Sequence, residues 1–506
     1  MKHFLLLLFF SWLTAANAQR PLENSSDIYQ EIKRLNVLTN VLYLAAHPDD
    51  ENTRLISWLE NEKLARTAYL SLTRGSGGQN LIGTEKGPAM GVLRTQELIE
   101  ARKIDGGEQY FSSAVDFGYS KTADETLDIW NKDEVLEDVV WTIRKFRPDV
   151  IITRFPSDER AGHGHHTASA MLAEEAFKLS ANPKTYRRHL NFMRIVFKDM
   201  AAYPKEVIKS EWQAKRLLWN TSVWWDQQLP EKAAKADDYI KIDIGEYNKV
   251  LGLSYSEIAS NSRSQHQSQG FGSARARGSQ IEYLKHTAGD QAKNDLFEGI
   301  NSTWSRVKDS DKIQELVNKL IEEYDFIDPS KSLNLLIELY TILNKRLDVI
   351  TSSDLSKINT WSPIESEADF YIEQKLQDVK RLIKAVTGIH AELLAERPFY
   401  TDCKMLPIKL KLNIIARNTD KQMLVKRIHT HNTLIEVNKA LELNTTFSMD
   451  YIDTLKCRED QNVDLSHPYW LNDSKKNSID PVQQGLAENL PITEVRYEIL
   501  FDNVPV

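Results

Sequence analysis

The stretch Val41-Leu-Tyr-Leu-Ala-Ala46, followed at once by His47-Pro-Asp-Asp-Glu51, decides the fold. Its continuous apolar run is typical of a strand that is buried on both faces of a parallel sheet. A histidine and several carboxylates then lie on the turn at the carboxyl end of that strand, where open α/β sheets place their ligands. Pro48 restricts the conformation of this turn. The pattern therefore predicts a buried parallel strand that leads directly into a polar site.

Strand and helix patterns alternate outward from this stretch, as far as about Pro204. Two more short apolar runs predict buried strands at residues 68–72 and 150–153. Helical patterns are predicted over residues 52–64, 90–104, 134–146 and 167–177. Repeated strand–helix units indicate a parallel α/β sheet with helices on both faces. We therefore predict one α/β catalytic domain over residues 38–300, with its site beyond the carboxyl ends of the strands.

The remainder of the chain predicts two further parts. Residues 312–396 are interpreted as a helical module, because apolar residues recur there at helical spacing and a last helix is predicted over residues 368–394. Residues 398–506 are interpreted as β-rich and β-sandwich-like, because stretches such as 408–414 and 495–501 alternate apolar and polar residues with period two. The chain stops directly after a strand pattern. One interpretation left open is therefore that the sequence is a truncated piece of a longer protein.

A second polar turn, His163-Gly-His-His166, follows the predicted strand at 150–153 and opens a helix. A histidine cluster by itself is more often a surface feature or a satisfied part of a core. Two such turns at the same sheet edge, however, together offer two histidines and an aspartate. Three ligands of this kind leave one position of a zinc ion open for water. The two turns together therefore indicate a metal site.

The AHPDDE turn, the later HxxH and the α/β pattern resemble the PIG-L (LmbE-like) family of zinc-dependent de-N-acetylases. The resemblance covers about residues 38–275 and implies a Rossmann-like catalytic domain that binds Zn²⁺. It implies three zinc ligands: His47, Asp50 and His166. It also implies that Asp49 is the general base for the attacking water and that His163 stabilises the oxyanion. These roles suit amide hydrolysis, which needs an activated water, a base within reach and a donor for the developing negative charge.

Three further residues are expected, from the same resemblance, to contact the substrate. Arg74 lies in a Thr-Arg-Gly-like turn after the second predicted strand. Arg94 belongs to an Arg-x-x-Glu pattern on the next helix, where an ion pair between Arg94 and Glu97 is the alternative. His266 belongs to a late His-x-Ser-Gln element, for which a polar loop is the alternative.

One position departs from the family pattern. Many relatives carry Asp at the third residue of the HxxH motif, and this chain carries His165 there. The change puts the pKa of the neighbouring His163 in doubt. It also makes His165 an alternative metal ligand.

The expected function is removal of an acetyl group from an N-acetylglucosamine-type sugar or a related amide. The alternative is a catalytically inactive protein that binds carbohydrate, for which the tryptophans between Trp212 and Trp225 would offer stacking surfaces if they are not core residues. A serine hydrolase is disfavoured because Gly75-Ser-Gly77 lacks the spacing of a Gly-x-Ser-x-Gly elbow. A HExxH metalloprotease motif is absent from the sequence.

Composition narrows the class of protein. A chain of 506 residues with a net charge of −8 favours several globular domains and argues against nucleic acid as the main partner. Residues 1–18 are interpreted as a signal peptide, with Lys2, an apolar run too short to span a bilayer, and a small-x-small cleavage site. We therefore expect an exported bacterial protein, periplasmic or extracellular, without a transmembrane segment. Whether Cys403 and Cys457 pair, and the oligomeric state, stay open.

Overall fold

The structure is a computed structural model that describes residues 20–186, 211–346, 367–398, 405–430, 433–456, 467–471, 483–491, 493–502 and 504–506. The interpreted signal peptide, Cys403 and Cys457 lie outside these residues. Within the described ranges, no helix combines the length and the apolar character needed to cross a membrane.

A seven-stranded sheet forms the centre of the N-terminal part, with the strand order β3-β2-β1-β4-β5-β9-β6. Its strands are β1 Asn40–Ala45, β2 Arg66–Thr73, β3 Glu108–Ala114, β4 Val150–Thr153, β5 Arg216–Thr221, β6 Tyr239–Asp243 and β9 Ile281–Gly289. The five strands from β3 to β5 in this order are parallel, whereas β9 is antiparallel to both β5 and β6. The sheet is therefore mixed rather than wholly parallel, because the chain after β5 returns through antiparallel connections at one edge. A small hairpin, β7 Tyr247–Asn248 and β8 Leu253–Ser254, lies beside it.

Helices cover both faces of this sheet, as the alternating pattern predicted. They are α2 Thr53–Asn61, α3 Pro88–Asp105, α4 Ala123–Trp130, α5 Lys132–Phe146, α6 Gly164–Leu179, α7 Leu229–Lys235 and α8 Tyr255–Arg263. Val41 and Tyr43 of β1 pack in one core with α2, α3 and α8, while Leu42 and Leu44 pack in another with α4, α5 and α6. The alternation of side chains along a strand thus explains why every residue of the opening apolar run is buried. This doubly covered sheet fixes the turns that follow β1 and β4.

The C-terminal part combines helices with two antiparallel sheets. Its helices are α9 Asp311–Glu322, α10 Leu333–Arg346 and α11 Glu367–Thr387, and the N-terminal helix α1 Ser25–Arg34 packs with them. One sheet contains β10 His390–Ala395, β11 Met405–Ile415 and β14 Phe447–Lys456; the other contains β12 Met423–His429, β13 Leu434–Ala440, β15 Arg496–Phe501 and β16 Val504–Pro505. Residues of these helices and sheets share one hydrophobic core. The helices and the β-rich part are therefore packed as one body.

The last predicted helix is shorter than its pattern indicated. It ends at Thr387, and Gly388 follows with a φ of +60°. This left-handed conformation favours glycine and commonly terminates helices. Residues 390–395 pair with β11 instead, so a stretch expected to be helical is a strand.

Two short pieces near the C-terminus, residues 467–471 and 483–491, pack against the N-terminal sheet; we call them the C-terminal strap. The backbone N–H of Phe111 on β3 donates to the carbonyl of Gly485 at 3.0 Å. Gln484 donates to the carboxylate of Asp138 on α5 at 2.7 Å. The strap therefore covers the free edge of β3, which would otherwise expose unpaired backbone groups.

Candidate active site

The turn after β1 holds its polar side chains in a strained backbone. Asp49 has a φ of +95°, a region that residues with a side chain rarely adopt. The buried carboxylate of Glu51 accepts a hydrogen bond from the Asp49 N–H at 3.0 Å, and Arg94 donates to the carbonyl of Pro48. Because such strain persists only where surrounding groups enforce it, these contacts are what fix the direction of the Asp49 side chain.

Three of the expected side chains meet at the carboxyl ends of β1 and β4. His47, Asp50 and His166 each offer a ligand atom, and these atoms lie within 4.8 Å of one another. His47 Nδ1 is 3.1 Å from Asp50 Oδ2, and His166 Nε2 is 3.6 Å from Asp50 Oδ1. A tetrahedral site with bonds of about 2.0–2.1 Å has ligand separations of about 3.3 Å. The donor set and its spacing therefore fit a small divalent metal ion.

The two histidines of this set are oriented through their other ring nitrogens. His166 Nδ1 donates to the carbonyl of Ala161 at 3.2 Å, and the ring of Phe155 stacks on His166 at 3.8 Å between centroids. His47 Nε2 lies 2.9 Å from Nδ1 of His165. Each imidazole therefore turns its remaining nitrogen toward Asp50, an arrangement that is common for histidines that bind metal.

Charge favours an ionised Asp50 at the centre of this cluster. Burial opposes ionisation of the Asp50 carboxyl, but His166 and His47 outweigh it and lower the pKa of Asp50 below its usual range. Burial also lowers the pKa of His166. A neutral imidazole and a carboxylate are the protonation states that a metal ion requires of its ligands.

Asp49 lies beside this cluster with a different electrostatic environment. Burial raises the pKa of Asp49 to about 6, although the guanidinium of Arg94 lowers it and the carboxylate of Asp50 adds to the rise. Arg94 Nη2 donates to Asp49 Oδ1 at 2.8 Å. A carboxyl group with a pKa near neutrality can both accept and return a proton, as a general acid–base residue must.

His163 is the N-cap residue of α6 and lines the same cavity. Its Nδ1 accepts from the backbone N–H of His165 at 3.0 Å, while the Ser120 N–H lies farther, at 3.4 Å from Nε2. A neutral imidazole accepts at only one nitrogen, so the closer contact assigns the proton to Nε2. Burial, with repulsion from His166 and His47, lowers the pKa of His163 to about 4. At neutral pH His163 is therefore an uncharged hydrogen-bond donor.

His165 is the alternative ligand, and the structure also brings it close to the cluster. His47, His163 and His165 form a second group whose nitrogens lie within 4.8 Å of one another. The His165 ring is fully buried, with ring centroids of Phe117 at 4.4 Å and Trp130 at 4.8 Å. Burial is the largest of the causes that lower the pKa of His165 to about 2. His165 is thus a neutral side chain behind His47 and does not line the cavity.

The three residues expected to contact substrate also lie behind the cavity rather than on its wall. Arg74 turns toward the C-terminal strap, where it donates to the carbonyls of Leu486 and Ala487 at 2.8 and 2.9 Å and stacks on Trp470. The expectation for Arg74 was based on the position of its turn, whereas the direction of its side chain follows from the strap that packs there.

Arg94 and His266 support the turn after β1. Besides its contacts with Pro48 and Asp49, Arg94 lies so close to Gly75 that a Cβ at that position would collide with the guanidinium. His266 Nε2 lies 3.0 Å from Glu51, which also pairs with Arg102 at 3.1 Å. In this structure both residues therefore orient the polar turn from behind and do not line the cavity, and direct contact with a substrate stays a prediction.

A cavity of about 580 Å³ opens in front of the cluster, at the sheet edge that the sequence predicted. Residues from seven segments of the chain line it, among them Asp49, Asp50, Arg54, Tyr119, Arg154, Phe155, His163, His166, Trp224, Trp225, Arg263 and Glu282. Tyr119 and Trp224 are 71% and 81% exposed, so the rim of the cavity presents aromatic surface to solvent. Of the clustered tryptophans, Trp219 is a core residue and Trp224 and Trp225 face the cavity.

Sequence reasoning missed Tyr119, Arg54, Arg154 and Glu282 as wall residues. Arg154 follows β4 directly, so the rule that located the HxxH turn also applies to it. Tyr119 and Glu282 come from a loop and from the antiparallel strand β9, whose approach to this edge depends on the strand order. No local pattern marks these two positions.

The chain is similar to known proteins over part of its length. Residues 42–177 match the family model described as GlcNAc-PI de-N-acetylase, PIG-L. No curated protein matches the chain significantly. The solved N,N'-diacetylchitobiose deacetylase from Pyrococcus horikoshii, in complex with its inhibitor MPG, is 16% identical with a TM-score of 0.31 over 46% of this chain and 70% of that chain. GalB, the 4-carboxy-2-hydroxymuconate hydratase from Pseudomonas putida KT2440, is 15% identical with a TM-score of 0.29 over 51% of this chain and 100% of that chain. The match to the family model identifies residues 42–177 as a PIG-L domain.

Proposed function

We propose that this protein is a zinc-dependent hydrolase that removes an acetyl group from an N-acetylglucosamine-type sugar or a related amide. The observation that carries the proposal is the meeting of His47, Asp50 and His166 at the cavity, with Asp49 beside them. When bound there, zinc would lower the pKa of a coordinated water and polarise the amide carbonyl. Two histidines and one carboxylate form a ligand set that catalytic zinc sites use.

Asp49 acts as the general base and then as the general acid. Its carboxylate accepts a proton from the attacking water while the water oxygen forms a bond to the carbonyl carbon. The same proton then passes from Asp49 to the amide nitrogen as the carbon–nitrogen bond breaks, so that acetate and a free amine leave. A pKa of about 6 suits both transfers, because the group is neither too strong nor too weak an acid near neutral pH.

His163 supplies the hydrogen bond for the developing oxyanion. Its Nε2 carries the proton because Nδ1 is occupied by the backbone N–H of His165. A donor held in place before the reaction stabilises the transition state without further reorganisation, and comparable donors contribute about 2.7–4 kcal/mol. His163 thereby complements the charge that Asp49 helps to create.

The rim of the cavity supports a carbohydrate substrate. Tyr119 and Trp224 present exposed rings on two loops that line the cavity, and Trp225 lies 5.5 Å from Trp224 between ring centroids. Aromatic rings of this kind offer apolar faces on which the C–H face of a sugar ring can pack, while their polar edges remain wet. The polar floor and the aromatic rim together fit a sugar amide better than an apolar amide.

The test is acetate release from a panel of N-acetylated sugars, measured with the metal content of the protein before and after chelation. About one zinc per chain, with acetate release that stops on chelation and returns with zinc, would support the proposal. Asp49→Asn should keep its zinc and lose at least about a hundredfold in kcat, because it removes the base and not a ligand. Asp50→Asn should lose both. Asp158→Asn is the matched control, since Asp158 pairs with Arg160 outside the cavity.

The second candidate function is a catalytically inactive carbohydrate-binding protein. The exposed rings of Tyr119 and Trp224 favour it, since they suit binding whether or not the amide is hydrolysed. Zinc bound at one per chain, with sugar binding but no acetate release, would favour this alternative. An Asp49→Asn variant that hydrolyses at the normal rate would instead refute the mechanism given above.

We also propose that the protein is exported. The support is the N-terminal sequence, with a charged residue, a short apolar run and Ala16-Asn-Ala18. Mass spectrometry of the protein recovered from outside the cytoplasm should show a mature chain that begins at Gln19. A chain that keeps Met1 and stays in the cytoplasm would contradict the proposal.

A further inference from the structure

Three arginines line the cavity in addition to the residues already assigned. Arg54 comes from the first turn of α2, Arg154 directly follows β4, and Arg263 ends α8. In the described part of the chain, none of the three has a carboxylate within 4.0 Å of its guanidinium. Three guanidiniums without a carboxylate partner thus face one cavity.

Their present contacts leave most of their donors available. Arg54 makes one hydrogen bond, from Nη1 to the side-chain oxygen of Gln280 at 3.0 Å. Arg154 lies over the ring of Trp225, 4.9 Å from the guanidinium carbon to the ring centroid. Arg263 is more occupied, because it donates to the Asp49 carbonyl at 3.1 Å and lies over another ring, that of Phe271. Since a guanidinium carries five N–H donors, Arg54 and Arg154 retain the planar fork that binds an oxyanion.

The acidic residues of the cavity do not balance this charge. Asp49 is paired with Arg94, and Glu51 with Arg102 and His266. Asp50 lies between His47 and His166, in the cluster that fits a cation.

Among the acidic wall residues in the described ranges, only Glu282 has no ion pair within 4.0 Å, and it accepts a hydrogen bond from Asn220. Three arginines against one such carboxylate leave the wall of the cavity positive, even though the whole chain carries −8. A bound divalent metal ion would add to this excess. Field lines concentrate in such a cleft and favour a ligand of opposite charge.

We propose that the cavity takes N-acetylated sugars that carry an acidic group, a carboxylate or a phosphate, and that Arg54 and Arg154 bind this group. The inference rests on the proposed function, which concerns the acetyl group of the substrate. It adds that another part of the same sugar carries a negative charge. Guanidinium groups match both anions with paired hydrogen bonds, so the geometry fits either source of negative charge. The ring of Trp225 lies beside Arg154, with Trp224 next to Trp225, and these rings cover the apolar face of the same ligand.

The experiment compares ligands that differ only in charge. Binding is measured by calorimetry to the full-length Asp49→Asn protein, with and without added zinc, so that no ligand is consumed. The ligands are N-acetylglucosamine, its 6-phosphate, its 3-O-lactyl ether and the methyl ester of that ether. The phosphate and the lactyl carboxylate distinguish the two anionic sources, and the ester is the neutral match of the ether. Acetate release by the wild-type protein is measured on the same ligands.

The expected result is that at least one acidic ligand binds about tenfold or more tightly than its neutral match. Arg54→Gln and Arg154→Gln should each reduce that ratio, and Arg160→Gln should not. Arg160 is the matched control because it lies near the cavity but is paired with Asp158 at 2.6 Å. Thermal melting of each variant checks that it is folded.

The proposal is overturned if acidic ligands bind no better than neutral ones, or if no acidic ligand binds. It is also overturned if the preference survives in the Arg54→Gln/Arg154→Gln double variant. If the proposed hydrolase function is wrong and the anion site is right, the result is different. Acidic ligands then bind more tightly than neutral ones, and no ligand releases acetate. Acetate release from neutral sugars alone would refute the anion site and leave the hydrolase standing.

Discussion

His47 Nε2 and His165 Nδ1 lie 2.9 Å apart, on the side of the His47 ring that faces away from Asp50. If His47 binds a metal through Nδ1, its proton lies on Nε2, which then donates to Nδ1 of a neutral His165. The remaining N–H of His165, at Nε2, is buried without a hydrogen-bond partner in the described part of the chain. Where relatives carry Asp at this position, a carboxylate would accept the same hydrogen bond. A neutral imidazole orients His47 but polarises it less than a carboxylate would.

We expect His165→Leu to weaken zinc binding by about 10–100-fold, because partners of metal-binding histidines typically contribute that much. His165→Asp should bind zinc at least as tightly as the wild type, since a carboxylate accepts the hydrogen bond from His47 and polarises its ring more than a neutral imidazole does. Competition with a chelating indicator measures both affinities. His286→Leu is the control, because the His286 side chain is half-buried on β9 and hydrogen-bonds the Gly289 carbonyl, outside the His–Asp cluster. Unchanged zinc affinity in His165→Leu would show that the contact with His47 has no role in metal binding.

Arg94 should position the base without binding the substrate. Arg94→Lys removes the fork that reaches Pro48, Asp49 and Gly75, and a misplaced catalytic group can cost about a hundredfold. We therefore expect kcat to fall by that order with KM and zinc content little changed. Gly75→Ala should act in the same direction, because its Cβ would displace the guanidinium. A rise in KM at constant kcat would instead assign Arg94 to substrate binding.

Arg74 should link the C-terminal strap to the α/β domain. Its guanidinium carbon lies 3.4 Å from the ring centroid of Trp470 and 4.1 Å from that of Phe111. Buried cation–π contacts of this kind are worth up to about 2 kcal/mol. A double-mutant cycle of Arg74→Met and Trp470→Ala, followed by chemical unfolding, should show a coupling of about 1–2 kcal/mol. Additive effects of the two substitutions would contradict the link.

Lys384 on α11 should make stability depend on alkaline pH. Burial lowers the pKa of Lys384 from 10.5 in the unfolded chain to about 8. Below pH 8 both states are protonated, so the cost of the buried charge is fully present; above about pH 10.5 both are neutral and the cost is gone. The free energy of unfolding of the wild type should therefore increase as the pH rises from 8 to 10.5, because Lys384 loses its charge first in the folded state.

The matching variant is Lys384→Met, which should raise the free energy of unfolding at pH 7 by about 1–2 kcal/mol. The gain over the wild type should shrink between pH 8 and 10.5. Lys319→Met is the control, since the Lys319 side chain is 50% exposed and pairs only weakly with Glu323. Thermal melting across this pH range measures both variants. A gain that does not change with pH would mean that packing, and not charge, is responsible.

Local pattern was sufficient for the buried strands β1, β2 and β4 and for the two polar turns, whereas residues 390–395, which were expected to be helical, form a strand. The apolar run before His47 and that before Arg154 each predicted a strand buried on both faces, and both strands lie in the sheet centre. Because parallel strands end at one edge, the turns that follow them had to meet there, which brought His47, Asp50 and His166 together. The sequence also placed Asp49 next to a ligand.

Tertiary structure decided which way the remaining side chains point. Arg74 and His266 lie in the turns where they were expected, yet strands, helices and the C-terminal strap distant in sequence turn them away from the cavity. The same holds for Arg54 and Arg154, whose freedom from carboxylates depends on what packs around them. The sequence by itself thus determined three buried strands of the sheet and the two polar turns after β1 and β4, because apolar runs and the turn residues that follow them are properties of short stretches of sequence. Side-chain partners are settled only when distant segments pack, since each long polar side chain can reach several of them.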